Sequence, residues 1–363
     1  MSERSDRFVA EIRRNGASLS PELARAFATV PREVFVAEGF QRRDGTWVGP
    51  ADSGFLDTVY SDEVLVTKLD GSTPVSSSSQ PSLMAIMLAA LEVRPGLRIL
   101  EIGAGTGYNA ALLSALGARV TSVDVQADVA ERARAALDRA GVDGVRVVLG
   151  DGYAGAPGES FDRVIVTVGV AGLSPRWLAE LAGPGPIVAP VEHAGTHPVL
   201  VATGVPGGPV TARALCPAGF MSAAGPLTAD RPGAHPAPAA ARTLAELKPV
   251  GAGRSAPLTA LAYRDLWYAA GVWSRQATHA AVRGREQSVL ALLDESRKGG
   301  AVILPDATVL AGGPESARYG KEAAAIVERW ESAGRPPMQA WRIGLALSGD
   351  PASPIWVPST WAL

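Results

Sequence analysis

Apolar runs and polar breaks divide the chain into short blocks. Phe8, Val9 and Ile12 recur at helical spacing within residues 7–40, and Pro21 after Ser20 opens a second helical pattern through Leu23, Ala24 and Phe27. Val30 to Val36 predicts a further short helix, and these pieces are expected to cover the later site from outside. Turn residues dominate from Trp47 to Ser82, with brief strand-like runs such as Glu63 to Val66, before an apolar helix from Leu83 to Leu91. The pattern then changes period. Strands are predicted from Leu97, and at 120–125, 145–149, 162–168 and 185–192, with helices at 109–116 and 175–181. Runs at 197–203 and 210–215 flank Pro206-Gly207-Gly208-Pro209 and read as a hairpin-like pair. Seven strands alternating with helices predict an α/β parallel sheet closed by that hairpin.

Composition shifts to Pro, Gly and Ala between Ala223 and Ser255, which reads as a linker with one helical interruption at Arg242 to Leu247. A C-terminal α+β domain is predicted beyond it over 257–363. It has helices at 258–273 and 315–333, strands at 289–293, 301–304 and 308–310, and a last strand at 339–347. Six of the eight tryptophans lie there: Trp267, Trp273, Trp330, Trp341, Trp356 and Trp361. Most are expected in the core, with one or two facing a peptide groove.

The chemistry concentrates where the first parallel strand ends. Leu97 to Tyr108 reads Leu-Arg-Ile-Leu-Glu-Ile-Gly-Ala-Gly-Thr-Gly-Tyr, a strand, a glycine-rich turn and a helix start. Glycine lets a ligand approach the backbone, and the helix N-terminus offers N–H groups, so a nucleotide-like cofactor is expected. Tyr108 stands where the dinucleotide fingerprint needs its third glycine. Glu101-x-Gly103-x-Gly105-x-Gly107 instead resembles the S-adenosylmethionine loop of class I methyltransferases. Asp124, at the next strand end, is placed to accept from ribose hydroxyls, and Asp151 in Gly150-Asp151-Gly152 to reach an adenine amino group.

Val75-Ser76-Ser77-Ser78-Ser79-Gln80-Pro81-Ser82 stands just before the apolar helix. A serine run is usually a flexible linker. Here it adjoins a helix that must pack on the cofactor sheet, and a loop of hydroxyls at that place can hold a carboxylate. Together with Val30 to Val36, the loop Leu100 to Leu113, Gly150 to Gly152 and Phe161 to Thr167, it resembles the protein-L-isoaspartate O-methyltransferase family over about Phe27 to Phe220. The resemblance implies a class I methyltransferase fold with S-adenosylmethionine as cofactor. It places Ser79 as the catalytic serine, with Ser76, Ser78 and Gln80 on the substrate. Ser77, Glu101, Gly103, Gly105, Gly107, Asp124, Val125, Asp151 and Gly152 would hold the cofactor.

Val66-Thr67-Lys68 and the long tail depart from the repair enzymes and resemble a branch that methylates aspartate in ring-constrained, ribosomally made peptides to form aspartimide. That biosynthetic reading is preferred here. Repair of isoaspartyl proteins is the alternative, and a catalytically silent cofactor-binding regulatory module is a third. The partner is accordingly a modified precursor peptide or an isoaspartyl-containing protein.

Totals narrow the setting. The chain has 363 residues, 47% hydrophobic and 19% charged, with net charge -2, so no general grip on nucleic acid is expected. No apolar run approaches the ~20 residues of a membrane helix. With one cysteine, Cys216, and no signal-peptide pattern, a cytoplasmic location is expected. His193 and His197 flank Gly195 in a strand-and-turn region, so no metal site is expected.

Overall fold

A computed structural model describes residues 3–228, 247–251, 257–282, 285, 287–294 and 298–363. The helical interruption expected at Arg242 to Leu247 lies, but for Leu247, outside the described residues. Helices α1 (Glu3–Arg14) and α2 (Pro21–Thr29) come first. Ser20 caps α2 by accepting from the Leu23 amide at 3.2 Å. An antiparallel hairpin follows, β1 (Leu65–Asp70) with β2 (Thr73–Ser78), extended by two short strands at Phe40–Gln41 and Trp47–Val48. The serine run is therefore strand for most of its length, not a loop. Its polar residues alternate in burial because pairing with β1 supplies the backbone partners that their own propensity does not.

Helix α3 (Pro81–Ala90) leads into the main sheet. There β3 (Arg98–Ile102), α4 (Tyr108–Ala115), β4 (Arg119–Asp124), α5 (Ala127–Arg139), β5 (Val145–Leu149), β6 (Arg163–Val166), α6 (Pro175–Ala179) and β7 (Ile187–Pro190) form the parallel part. Strands β8 (Val199–Thr203) and β9 (Val210–Cys216) turn antiparallel. Helix α7 (Ala260–Trp273) then precedes β10 (Ala277–Ala280), β11 (Val289–Leu293), β12 (Gly300–Ile303) and β13 (Val309–Gly312), a second antiparallel sheet with a two-residue strand, Lys248–Pro249, at its edge. Helix α8 (Ser316–Ser332) follows. The last strands, β14 (Arg342–Ser348) and β15 (Ile355–Ala362), return to the main sheet.

The main sheet therefore has nine strands, in the order β15-β14-β9-β8-β7-β6-β3-β4-β5, where seven were expected. Residues 342–362 do not belong to a separate C-terminal domain; they extend the methyltransferase sheet past the hairpin. The core is shared as well. Trp177 and Val191 from the parallel half, Leu266 and Trp267 from α7, and Trp330 from α8 lie in one continuous buried cluster. Trp341 is buried there too, and Trp273, Trp356 and Trp361 pack against it, so the tryptophans chiefly fill this core. On the opposite face α1 packs on α3 and α2 on α4, with Phe8, Ile12 and Phe27 in the second cluster. The N-terminal helices thus form a layer of the fold rather than an outer cover on the site.

Strand order reverses at β3, whose neighbours are β6 and β4. Ligands of such sheets bind beyond the strand C-termini at this switch point. The glycine turn stands there.

Candidate active site

A cavity of about 1070 Å³ opens at the switch point, between the serine strand, the glycine turn, the ends of β4 and β6, and α7. Gly103, Gly105 and Gly107 all have positive φ, at 96°, 52° and 86°. A Cβ on Gly103 would meet Thr167 Oγ1 at 2.6 Å, and one on Gly105 the Ser77 carbonyl oxygen at 3.3 Å. Only bare backbone lets the turn pass between β6 and the serine strand. The Thr167 hydroxyl donates to the Gly103 carbonyl at 2.6 Å. The amides of Gly103, Gly105 and Gly107 donate to Val123, Asp124 and Ala104, and those of Ala104 and Thr106, which line the cavity, have no partner among the described residues.

Asp124 ends β4 with one carboxylate oxygen accepting from the Gly105 amide at 3.1 Å and the other from the Gln126 amide at 3.0 Å. Two bonds leave a carboxylate further lone pairs, and the side chain lines the cavity. Asp151 accepts from the Tyr153 amide at 2.9 Å and also lines it, as do Gly152 and the half-exposed Val125. A glycine turn with two unengaged amides, a carboxylate for a diol and a second strand-end carboxylate fit a nucleoside-bearing cofactor.

Glu101 lies elsewhere than expected. It is fully buried behind the turn, does not line the cavity, and accepts from Asn109 Nδ2 at 2.7 Å and from the Ser122 hydroxyl. Burial is the largest influence on its carboxyl and pushes it up to about 7, against the two hydrogen bonds. It fastens the start of α4 to β4 instead of touching the cofactor.

The serines divide by strand alternation. Ser76 and Ser78 are buried, Ser76 accepting from Thr67 Oγ1 at 3.4 Å and Ser78 from Arg32 Nε at 3.3 Å. Their hydroxyls engage protein partners, although both residues also line the cavity. Gln80 is likewise engaged, its Nε2 donating to Asp62 at 2.9 Å. Ser77 and Ser79 alternate with the buried pair and are more exposed to the cavity, which Gln80 and all four serines line. Among the described residues the Ser79 hydroxyl has no hydrogen-bond partner, while its carbonyl accepts from Arg32 at 3.0 Å.

Arg32 is the residue that sequence reasoning missed. It is fully buried and donates to Ser78 Oγ and to the carbonyls of Val59, Ser61, Glu63 and Ser79, which occupies its fork. Burial lowers its guanidinium to about 10, still charged at neutral pH. Asp62 completes the support. It accepts from Asn15, Gln80, the Ser82 amide and the Ser82 hydroxyl at 2.7 to 2.9 Å, and so anchors the start of α3. On the cofactor side Lys68 donates to Gln126 at 2.8 Å and Asp128 at 2.7 Å, while Gln126 donates to the Val75 carbonyl at 3.0 Å. The only signal for Arg32 was a charged pair, Arg32-Glu33, inside the otherwise apolar run Val30 to Val36.

The imidazole of His193 packs 4.4 Å from the Tyr268 ring, with Nε2 2.8 Å from the Tyr268 carbonyl; His197 lines the cavity. No helix among the described residues is long and apolar enough to cross a membrane.

Comparison with known proteins gives the same outline. The family described as protein-L-isoaspartate(D-aspartate) O-methyltransferase matches residues 3–208. A protein-L-isoaspartate O-methyltransferase of Thermotoga maritima is 38% identical over 178 residues, 48% of this chain and 51% of that protein; the matched part thus spans about half of the relative. One of Gloeobacter violaceus is 33% identical over 230 residues, 62% of this chain and 98% of its own. A solved structure described as a protein-L-isoaspartate O-methyltransferase superposes with a TM-score of 0.55 at 25% identity, covering 98% of this chain and 100% of the other. The segment after Ser222 therefore has a counterpart in a protein of that description.

Proposed function

This chain belongs to the protein-L-isoaspartate(D-aspartate) O-methyltransferase family, and we propose that it is an S-adenosylmethionine-dependent carboxyl methyltransferase that esterifies the free carboxylate of isoaspartyl residues in peptides and proteins. The observation that carries this reading is the closure of the serine strand on the glycine turn, with Ser79 lining the cavity they share. S-adenosylmethionine supplies an electrophilic methyl group on a sulfonium. The acceptor is ionised at neutral pH, so it needs no general base. An oxygen lone pair of the carboxylate forms the O–CH3 bond as the S–CH3 bond breaks, and no proton moves.

The chain's task is then orientation. Ser79 donates its hydroxyl to one carboxylate oxygen and leaves the other to attack. Arg32 acts through the backbone of Ser79, as a positioning residue. In the ester, methoxide leaves the carbonyl far more readily than oxide would, and the next backbone nitrogen closes a five-membered imide with release of methanol.

A second reading is that the acceptor is the side-chain carboxylate of an aspartate in a ring-constrained ribosomal peptide, with aspartimide as the end point. What supports it is that Arg264, Trp267 and Tyr268 of α7 help to line the same cavity, a wall able to select a constrained chain. Mass spectrometry on three substrates separates the readings: an isoaspartyl peptide, its normal aspartyl counterpart and a ring-constrained aspartyl peptide. One methyl gained on the isoaspartyl peptide, followed by loss of methanol, is the expected result. Gain on the constrained peptide alone would replace the first reading with the second, and cofactor binding with no transfer to any would leave a regulatory module.

A further inference from the structure

The cavity continues past the serine strand to a wall made by α7 and the turn at 194–198. Its charged lining is divided. Asp124 and Asp151 belong to the strand ends at the glycine turn, and Arg264 on α7 is the one arginine or lysine among the described residues that line it. Arg264 is exposed and forms no ion pair among the described residues. Its guanidinium lies 5.3 Å from the centre of the Trp267 ring. That ring is fixed, since Trp267 Nε1 donates to the Ala194 carbonyl at 2.9 Å and the indole meets Tyr263 edge-on at 5.8 Å. A guanidinium placed over an aromatic ring engages none of its N–H groups in a hydrogen bond there and keeps them for a carboxylate, in the fork geometry that suits two oxygens.

We propose that Arg264 on its Trp267 platform is a specificity-determining residue that binds a second carboxylate of the peptide, beside the residue being methylated. The preferred substrates are then acidic peptides. This rests on the proposed carboxyl methylation of peptides. The acceptor itself is the poorer occupant, because a bidentate ion pair would engage both of its oxygens and weaken it as a nucleophile. The second carboxylate has two sources, an acidic side chain flanking the acceptor or the peptide's C-terminus.

The test uses the full chain and isoaspartyl peptides differing only near the acceptor: a flanking glutamate with an amidated C-terminus, a flanking glutamine with a free C-terminus, and a flanking glutamine with an amidated C-terminus. Wild type should favour at least one carboxylate-bearing peptide by about tenfold in kcat/KM at low salt, the scale of one charge-assisted contact, with the ratio falling as salt rises. Whichever is favoured identifies the source. Arg264→Gln should bring the ratio near one, and Arg264→Glu should turn it towards a flanking lysine. Equal ratios in wild type and Arg264→Gln, or no discrimination by wild type, would overturn the assignment.

Fluorescence anisotropy of the same labelled peptides, with S-adenosylhomocysteine present, reads binding without turnover. If wild type transfers no methyl group, the proposed function fails. The site then still stands if the carboxylate-bearing peptide binds about tenfold tighter to wild type than to Arg264→Gln, and falls if it does not.

Discussion

Arg32 shows what a single buried charge can organise. Its fork ties the 59–63 segment to the backbone of Ser79, so the height of the serine above the glycine turn depends on it. Lysine has too few donors in the wrong geometry to replace it. Arg32→Lys should lower stability by about 2–4 kcal/mol, read as an earlier denaturant midpoint, through carbonyls left unpaired. Ser79→Ala tests orientation directly: methyl transfer should slow about tenfold to a hundredfold while cofactor affinity, measured by calorimetry, stays near wild type. Unchanged turnover would remove Ser79 from the reaction. Glu101 contributes a pH dependence of known sign. Its folded value of about 7 lies above the ordinary glutamate value of 4.5, so the unfolded chain gives up this proton first. Stability from this group is greatest below about 4.5 and is lost as pH rises through about 7. Glu101→Gln, which can accept from Asn109 and donate to Ser122, should remove that part of the decline in melting temperature between pH 5 and 8, a range on the order of the shift itself.

Elements differ in how plainly the sequence announced them. The strand, glycine turn and helix from Arg98 to Ala115 were legible because an apolar run, three glycines and a helical period coincide there. Asp124 and Asp151 followed from their place at strand ends. The serine strand was not legible: consecutive serines carry neither hydrophobic alternation nor β-propensity, and only pairing with β1 makes them extended. Strand β15 was hidden by Pro358, which reads as a break. At a sheet edge proline is tolerated, because one side of the strand has no neighbour to bond. Burial of Glu101 and Arg32 depends on packing with other elements, Asn109 and Ser122 for the one and the 59–63 segment with Ser79 for the other, and no local pattern reports it. The β1–β2 hairpin makes its own prediction. Lys68 and Gln126 hold it to the start of α5, beside Asp124. Lys68→Met should therefore raise the KM for S-adenosylmethionine by about three- to tenfold with a smaller change in kcat, since it loosens one wall of the cofactor end. A pure kcat effect in steady-state assays would contradict this.

At the scale of the molecule, the two sheets share one core, and the methyltransferase sheet is finished by strands from the far end of the chain. Calorimetry should show one cooperative transition for the full chain, not the two of independent domains. Removing residues 342–363 should abolish that transition, because it uncovers β9 and the buried side chains beneath β14. Two well-separated transitions, or a folded truncated chain, would contradict the shared core. The order of synthesis gives this arrangement a further meaning. While a ribosome is still making α7 and α8, β9 lacks its neighbour and presents an open row of backbone donors and acceptors. A stalled or prematurely ended nascent chain would carry the complete glycine turn and serine strand on a sticky, unfinished sheet, a natural client for chaperones and proteases.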